Sequence, residues 1–255
     1  MTATATVPVT VVIAARNEER DIAACIASVG WASEVLVVEN DSEDNTIEAA
    51  RQSGAVVFRH PFSTIGAQRN AAITRASAEW ILVVDADERG TPGLGEAVRA
   101  AIARVSGPDA YRARRRNFFL GREITHGGWE RDQPVRLFRR TLRYDTRPVH
   151  EHVIVRGPIG LLDQPLLHTP YATLDEYFEK LLRYSRWWAE HHFAAGRRAS
   201  LSDLTIRPVA RFFTMLIVRS GWRDGAHGVV IALLGAMSVA AKYAQLWALQ
   251  RTRHR

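Results

Sequence analysis

Apolar and polar positions alternate in blocks through the first hundred residues of the chain. Residues 9–15 are an apolar, β-branched run, the pattern of a strand buried on both faces. Asn17 follows as an expected N-cap, with Glu18 and Glu19 in the first turn of a helix ending near Gly30. A second strand is predicted over 35–38, then the polar loop Glu39-Asn40-Asp41-Ser42 and a helix to about Ser53. A short strand at 55–58, a helix over 66–77 and a strand over 80–84 come next. Thr91-Pro92 opens another helix, with proline in the first turn where its missing N–H costs little. Strands alternating with helices in this way predict an α/β domain with a Rossmann-like, mainly parallel sheet.

The pattern changes after Tyr111. Residues 111–167 read as short strands and loops rich in arginine, glycine and aromatics, covering one edge of the sheet. Leu174, Tyr177, Phe178, Leu181, Tyr184 and Trp188 then recur at three-to-four spacing, which predicts a helix over 174–193 with one packing face. Two very apolar stretches follow, at 212–218 and 228–241. Spanning a bilayer takes about 20 apolar residues, so a core helix or an in-plane membrane helix is expected for both. The division expected is an α/β part over 1–170, with halves at about 8–107 and 108–170, and a helical part over 171–255.

Charge sharpens that division. Residues 197–255 carry ten Arg and Lys against two acids, Asp203 and Asp224, a balance of +8, whereas residues 1–196 balance at −1. A basic, apolar C-terminal quarter predicts an anionic membrane surface as partner. Nucleic acid is not expected, because the arginines lack an accompanying aromatic stacking platform. The single cysteine, Cys25, can form no disulfide within the chain, and residues 1–6 do not begin a signal peptide. Both point to the cytoplasm.

Candidate chemistry gathers where strands are expected to end. The apolar run at Val83-Val84 meets Asp85-Ala86-Asp87-Glu88, which sets carboxylates at the C-terminal edge of a parallel sheet, where open α/β folds bind ligands. Asp85 and Asp87 on an extended chain would face one way, so they are expected to share one Mg²⁺ or Mn²⁺, with Ala86 leaving room. Glu39 ends the second strand at the same edge, where its carboxylate could accept from a base N–H or a ribose hydroxyl. Ala14-Ala15-Arg16-Asn17-Glu18 follows the first strand, and Gly66-Ala67-Gln68-Arg69-Asn70 opens a helix whose free N–H groups favour an anion. These four elements suit a nucleotide plus metal. No Gly-x-Gly-x-x-Gly turn follows the first strand and no phosphate-binding Gly-x-x-x-x-Gly-Lys loop is present, which argues against dehydrogenases and that class of kinases. A glycosidase also uses two carboxylates but leaves the nucleotide-shaped edge unexplained.

Ala-Arg-Asn-Glu-Glu after the first strand, the Val-Val-Glu-Asn-Asp-Ser-Glu-Asp-Asn-Thr turn, Gln-Arg-Asn and Val-Asp-Ala-Asp-Glu resemble the successive motifs of family-2, GT-A type glycosyltransferases over residues 8–90. Further on, Asn117-Phe118-Phe119-Leu120-Gly121-Arg122, Gly127-Gly128-Trp129, Arg136-Leu137-Phe138-Arg139-Arg140, Val149-His150-Glu151 and Gly221-Trp222-Arg223-Asp224-Gly225 resemble bacterial lipopolysaccharide-core β-1,4-glucosyltransferases. The resemblance implies an inverting hexosyltransferase, which the basic, apolar C-terminal quarter would hold on the inner face of the cytoplasmic membrane. Its donor would be a nucleotide-diphosphate sugar, UDP-glucose, and its acceptor a glycan or a lipid-linked glycan. It implies that Ala15, Glu39 and Arg69 line the nucleotide, with Glu39 standing where the family has Asp, and that Asp85 and Asp87 lie at the diphosphate; Arg16, Glu18, Gln68 and Ala86, in the same edge motifs, complete the expected nucleotide-sugar site. It also implies a metal at Asp85 and Asp87, and a base in Trp129-Glu130-Arg131-Asp132: Asp132, with Glu130 in reserve. His150 and His152 are two apart, and His150 is a candidate to complete the coordination. The alternatives are a metal-dependent nucleotidyltransferase and a non-catalytic membrane-binding module on a transferase fold.

Overall fold

The structure is a computed structural model and describes residues 6–145, 147 and 151–252. The first elements are β1 (Val7–Ala15), α1 (Ile22–Ser28), β2 (Ala32–Glu39), α2 (Thr46–Gln52), β3 (Val56–Arg59) and α3 (Ile65–Arg75). β4 (Trp80–Val83), β5 (Glu88–Gly90), α4 (Leu94–Ile102), β6 (Ala110–Arg112), β7 (Arg115–Phe119) and β8 (Arg122–Ile124) follow. The chain continues through β9 (Val135–Arg139), β10 (Ile159–Leu161), β11 (Leu166–Tyr171), α5 (Leu174–Ala194), α6 (Leu201–Phe213) and α7 (Gly225–Thr252). It divides into two compact units: residues to Arg115 with Gln133–His168, and Arg116–Asp132 with Thr169 onward.

The first unit is built on a seven-stranded sheet of order β10-β6-β9-β4-β1-β2-β3. The pairs β1–β2, β1–β4, β2–β3 and β10–β6 are parallel, and only β9 runs against its neighbours. The sheet is therefore mainly parallel, and its β1 run is buried from Val9 to Ile13 because helices cover both faces. Val9, Val11 and Ile13 pack with Ile22, Ile26 and Val98 from α1 and α4. Val12 faces the other way and packs with Ala72 and Ile73 of α3, Ile81, Val83 and Phe138. Period-two alternation thus assigns each β1 side chain to one of two cores.

One expectation fails at the first connection. Asn17 is not an N-cap: α1 begins at Ile22, and Asn17 sits at φ 55° in the left-handed region that asparagine tolerates. Its Oδ1 accepts from the Glu43 N–H at 2.9 Å and its own N–H donates to Ser42 Oγ at 3.1 Å. The side chain therefore ties the loop after β1 to the loop after β2.

In the second unit β7 and β8 form an antiparallel hairpin, Asn117 opposite Ile124, and α5 and α6 pack along α7. Phe119, Ile124, Tyr177, Leu181, Met215, Ile231 and Leu234 make its core. Thr173 caps α5 by accepting from Glu176 N–H, and Ser200 with Asp203 forms a reciprocal capping box on α6. Along α5 the buried line is Tyr177, Leu181, Ser185 and Ala189, while Leu174, Phe178 and Tyr184 of the expected stripe are exposed. The chain turns into α7 around Asp224, which accepts from His126 N–H at 2.9 Å and Thr125 Oγ1 at 3.0 Å. α7 exceeds the 14-residue apolar core read from sequence: with the turn before it, the helical run 221–252 is long and apolar enough to cross a membrane by length and composition. Lys242 lies inside this helix rather than ending it.

A candidate active site at the sheet edge

β1, β2 and β4 are parallel neighbours, with Ala15 opposite Glu39 and Val12 opposite Val83, so the ends of these strands share one edge. Asp85-Ala86-Asp87 does not continue β4 as an extended strand. The Glu88 N–H bonds the Asp85 carbonyl at 2.9 Å and closes a turn. The side chains of Asp85 and Asp87 therefore have different surroundings, unlike the shared orientation expected from an extended run.

Asp85 is half-buried in a cage of guanidiniums. Its Oδ1 pairs with Arg69 Nη2 at 2.5 Å, and its Oδ2 with Arg115 Nη2 at 2.7 Å and with Arg136. Burial raises the Asp85 carboxyl, but the charges of Arg136, Arg69 and Arg115 outweigh it and hold the group well below the usual carboxylate range. Glu88 lies fully buried behind it, pairing with Arg115 Nε at 2.5 Å and Arg136 Nη2 at 2.8 Å, and its Oε2 accepts from the Asp85 N–H at 2.9 Å. Glu151 takes the remaining pairing of Arg69. Three arginines and three carboxylates balance, as a buried ion cluster must. The sequence points to Asp85, Glu88 and Arg69 at this edge but gives Arg115, Arg136 and Glu151 no role there.

Asp87 belongs to a different setting. It is partly exposed and its Oδ1 lies 3.6 Å from His168 Nε2. His168, to which sequence reading gave no chemistry, sits on β11 opposite Glu88, which explains how it arrives beside the Asp-Ala-Asp turn. Ala86 is buried within that turn, and Arg89 clamps it by donating to the Ala86 carbonyl at 2.7 Å.

The other predicted residues line the same edge. Ala15 is buried, Arg16 is exposed, and the Glu18 N–H donates to Thr46 Oγ1 at 2.7 Å. Glu39 is fully buried; its Oε1 accepts from the Ser42 N–H, and its Oε2, 3.4 Å from Arg59 Nε, takes no hydrogen bond. Gln68, in the first turn of α3, is buried with its Nε2 unpartnered, and so is the Nε of Arg69. A buried acceptor and two buried donors left open in residues expected at a nucleotide are what a bound polar ligand would satisfy.

The groups present fit a divalent cation only in part. Among the described residues no three His, Cys, Asp or Glu groups gather as a cage. Mg²⁺ and Mn²⁺ at nucleotides need only one or two carboxylates, with phosphates and water completing the shell. Asp87, beside His168, meets that requirement. Asp85 departs from the expectation of a shared cation, because three guanidiniums already occupy its oxygens and would repel one. His150 lies outside the described residues, and His152 is exposed.

Both candidate bases fall in the second unit. Glu130 is exposed, accepts from the Gly128 N–H at 2.8 Å and lies 3.3 Å from Arg131 Nε. Asp132 closes the short 3-10 turn Trp129–Arg131 and is half-buried.

Several known proteins are similar to this chain. The chain is 29% identical to the lipopolysaccharide core biosynthesis glycosyltransferase LpsC of Rhizobium meliloti (strain 1021), over 95% of this chain and 94% of that protein. It is 26% identical to an uncharacterized glycosyltransferase of Rickettsia felis, over 92% of this chain and 87% of that one. Among solved structures, glucosyl-3-phosphoglycerate synthase from Mycobacterium tuberculosis, in complex with Mn²⁺, UDP and phosphoglyceric acid, aligns with a TM-score of 0.39 and 22% identity. That alignment covers 42% of this chain and 43% of that one, less than half of either. Residues 10–155 match Glycosyl transferase family 2, a span that takes in the whole edge from β1 through the Asp-Ala-Asp turn to Glu151, and the chain belongs to that glycosyltransferase family.

Proposed function

We propose that this glycosyltransferase moves glucose, with inversion, from UDP-glucose to a lipid-linked glycan in the building of a lipopolysaccharide core. The similarity to LpsC, a lipopolysaccharide core biosynthesis glycosyltransferase, supports the choice of acceptor. The observation that carries the donor half is the set of buried, open polar atoms at the sheet edge, above all Glu39 Oε2 and Gln68 Nε2. Glu39 would accept from the base or ribose, as a buried carboxylate with a free lone pair can. Arg16 and the first turn of α3 would face the diphosphate. The caged Asp85 would act as a positioning residue: it holds Arg69 and so fixes the start of α3 against the end of β4.

Asp87, with His168 beside it, would hold the divalent ion. Such an ion, when bound, supplies positive charge against the departing diphosphate. Asp132 is the proposed base. It would take the proton of the acceptor hydroxyl as that oxygen bonds to the anomeric carbon and the bond from that carbon to the diphosphate oxygen breaks. Glu130, tied to Arg131 and the Gly128 N–H, is the weaker candidate. The enzyme would work as a peripheral protein on the cytoplasmic face of the membrane, with its basic C-terminal part toward anionic lipid.

The test is thermal unfolding with UDP, GDP and CMP, each with and without Mn²⁺, for the native chain and Asp87→Asn. A ligand at about 100 times its dissociation constant adds roughly 2.7 kcal/mol. The expected result is a shift with UDP alone among the nucleotides, dependent on Mn²⁺ and absent from Asp87→Asn. No shift with any nucleotide would remove the donor site and return a binding module to the front.

A further inference from the structure

The second unit holds a cavity of about 380 Å³, lined by Phe119, Trp129, Tyr171 and Leu234 and by two cations, Arg211 and Lys242. That volume falls within the range of small-molecule sites. Both cations are half-buried, and neither has a carboxylate or hydrogen-bond partner among the described residues. The two acids of the C-terminal quarter are engaged elsewhere, Asp203 in the α6 capping box and with Arg207, Asp224 with Thr125 and His126. Burial and the neighbouring Arg211 charge push the Lys242 ammonium below its usual range, and burial and Arg219 lower Arg211. Like charges held together in an aromatic enclosure cost stability until an anion joins them. The enclosure is also kept open by its backbone. A side chain at Gly235 would meet Met215 Sδ at 2.5 Å, so glycine leaves the Met215 thioether its place against α7.

We infer that this cavity binds the phosphate-headed end of a lipid, with Arg211 and Lys242 holding the anion and the aromatic walls covering the first part of its apolar chain. The cations alone would suit any phosphate; the walls select one carrying an apolar tail, since rings gain from burying CH₂ groups and nothing from burying water. The helix that brings Arg211 also carries Val209 and Phe213 at 56% and 50% exposure, the surface of a protein that meets lipid rather than a dissolved phosphate. The site needs neither donor nor metal, so its test is independent of the transferase reading.

The full chain is titrated with dodecyl phosphate below its micelle concentration, read by tryptophan fluorescence and by thermal unfolding, with inorganic phosphate and dodecyl maltoside as the two half-ligands. Dodecyl phosphate is expected to saturate one site and to bind about tenfold or more tighter than either half-ligand. Arg211→Gln with Lys242→Gln should weaken it by about tenfold or more while raising the melting temperature of the ligand-free chain, because the like-charge pair is gone. Ser238→Trp, which fills the cavity from α7, should abolish saturable binding while the chain still melts cooperatively. Inorganic phosphate binding as tightly as dodecyl phosphate would make this a free-phosphate site, and equal binding of dodecyl maltoside would make it a greasy surface; either overturns the inference. So does unchanged affinity in the double variant, or a double variant that melts below the native chain.

Discussion

The residues that matter most at the sheet edge are held by charge rather than by apolar packing. Arg136 bridges Asp85 and Glu88 from a position that is only 2% exposed. Replacing it with methionine keeps the volume and leaves two carboxylates facing each other with one partner fewer. Breaking a buried network from one side costs about 3–5 kcal/mol, and urea unfolding of Arg136→Met should show a loss of that order. A loss below about 1 kcal/mol would mean that the cluster is open to water. The same cluster sets an acid limit. Arg136, Arg69 and Arg115 depress the Asp85 carboxyl in the folded chain against the opposing effect of burial. Above the unfolded pKa of about 3.9 this contributes its full stability, and the contribution is lost as pH falls through the folded pKa, because the unfolded chain takes up a proton that the folded cage refuses. Melting temperature followed from pH 6 to pH 3 should fall most steeply below about pH 4. In Asp85→Asn the neutral-pH value should be lower and that acid decline shallower. Parallel curves for the two proteins would remove Asp85 as the source.

At the scale of elements, the entry to α7 depends on two contacts that no local propensity encodes. The Asp224 carboxylate, 5% exposed, is shared by the N–H groups of Thr125 and His126, the Thr125 hydroxyl and the His126 ring. Asp224→Ala would leave two backbone donors open near the hairpin β7–β8. At about 1–3 kcal/mol for each buried group left unsatisfied, it should unfold the second unit several degrees early. Far-ultraviolet circular dichroism on heating would follow this as a loss of helix, and an unchanged melting curve would show that water replaces the carboxylate at no cost. Nearby, a side chain at Gly228 would overlap the Gly221 carbonyl, so the turn and the helix close on each other only without one.

These two contacts also mark where sequence reading ends. β1, β2 and β4 were legible because long apolar runs have few other uses, and Glu39, Asp85 and Asp87 because acids ending such runs stand out. Arg115 and Arg136 were not legible: each sits among other arginines, such as Arg114, Arg116 and Arg139, and only the fold brings those two to Asp85. His168 reaches Asp87 by strand pairing across some eighty residues, which no spacing rule anticipates. At Asn17 local sequence is ambiguous, since asparagine favours both N-caps and left-handed turns, and the bond to Glu43 decides between them. The sequence understates α7 because Lys242 interrupts its apolar run, whereas that lysine faces the cavity from mid-helix.

For the molecule as a whole, the question is how a chain with a net charge of +7 distributes that charge and its apolar surface. Residues 197–255 hold a balance of +8. Within them α6 has no buried residue although it carries Ile206, Val209 and Phe213, at 65%, 56% and 50% exposure and at helical spacing. A helix of this kind has its apolar stripe unpaid in water, and Arg207 and Arg211 on the same helix suit an anionic lipid surface. The full chain should sediment with vesicles containing phosphatidylglycerol at low salt and bind phosphatidylcholine vesicles less, since each cation near an anionic surface is worth about 1 kcal/mol. Raising salt should weaken the binding without abolishing it, because screening removes the charge contribution and leaves the apolar one. Ile206→Ser, Val209→Ser and Phe213→Ser together should remove that remainder. Partial insertion of three such side chains is worth roughly 2–3 kcal/mol, so the triple variant should bind about thirtyfold or more weakly. Because these side chains are exposed, its melting temperature should stay within a few degrees of the native value. Vesicle binding that survives the triple substitution undiminished would assign the interaction to charge alone, and α6 would then need a protein partner to account for its apolar stripe.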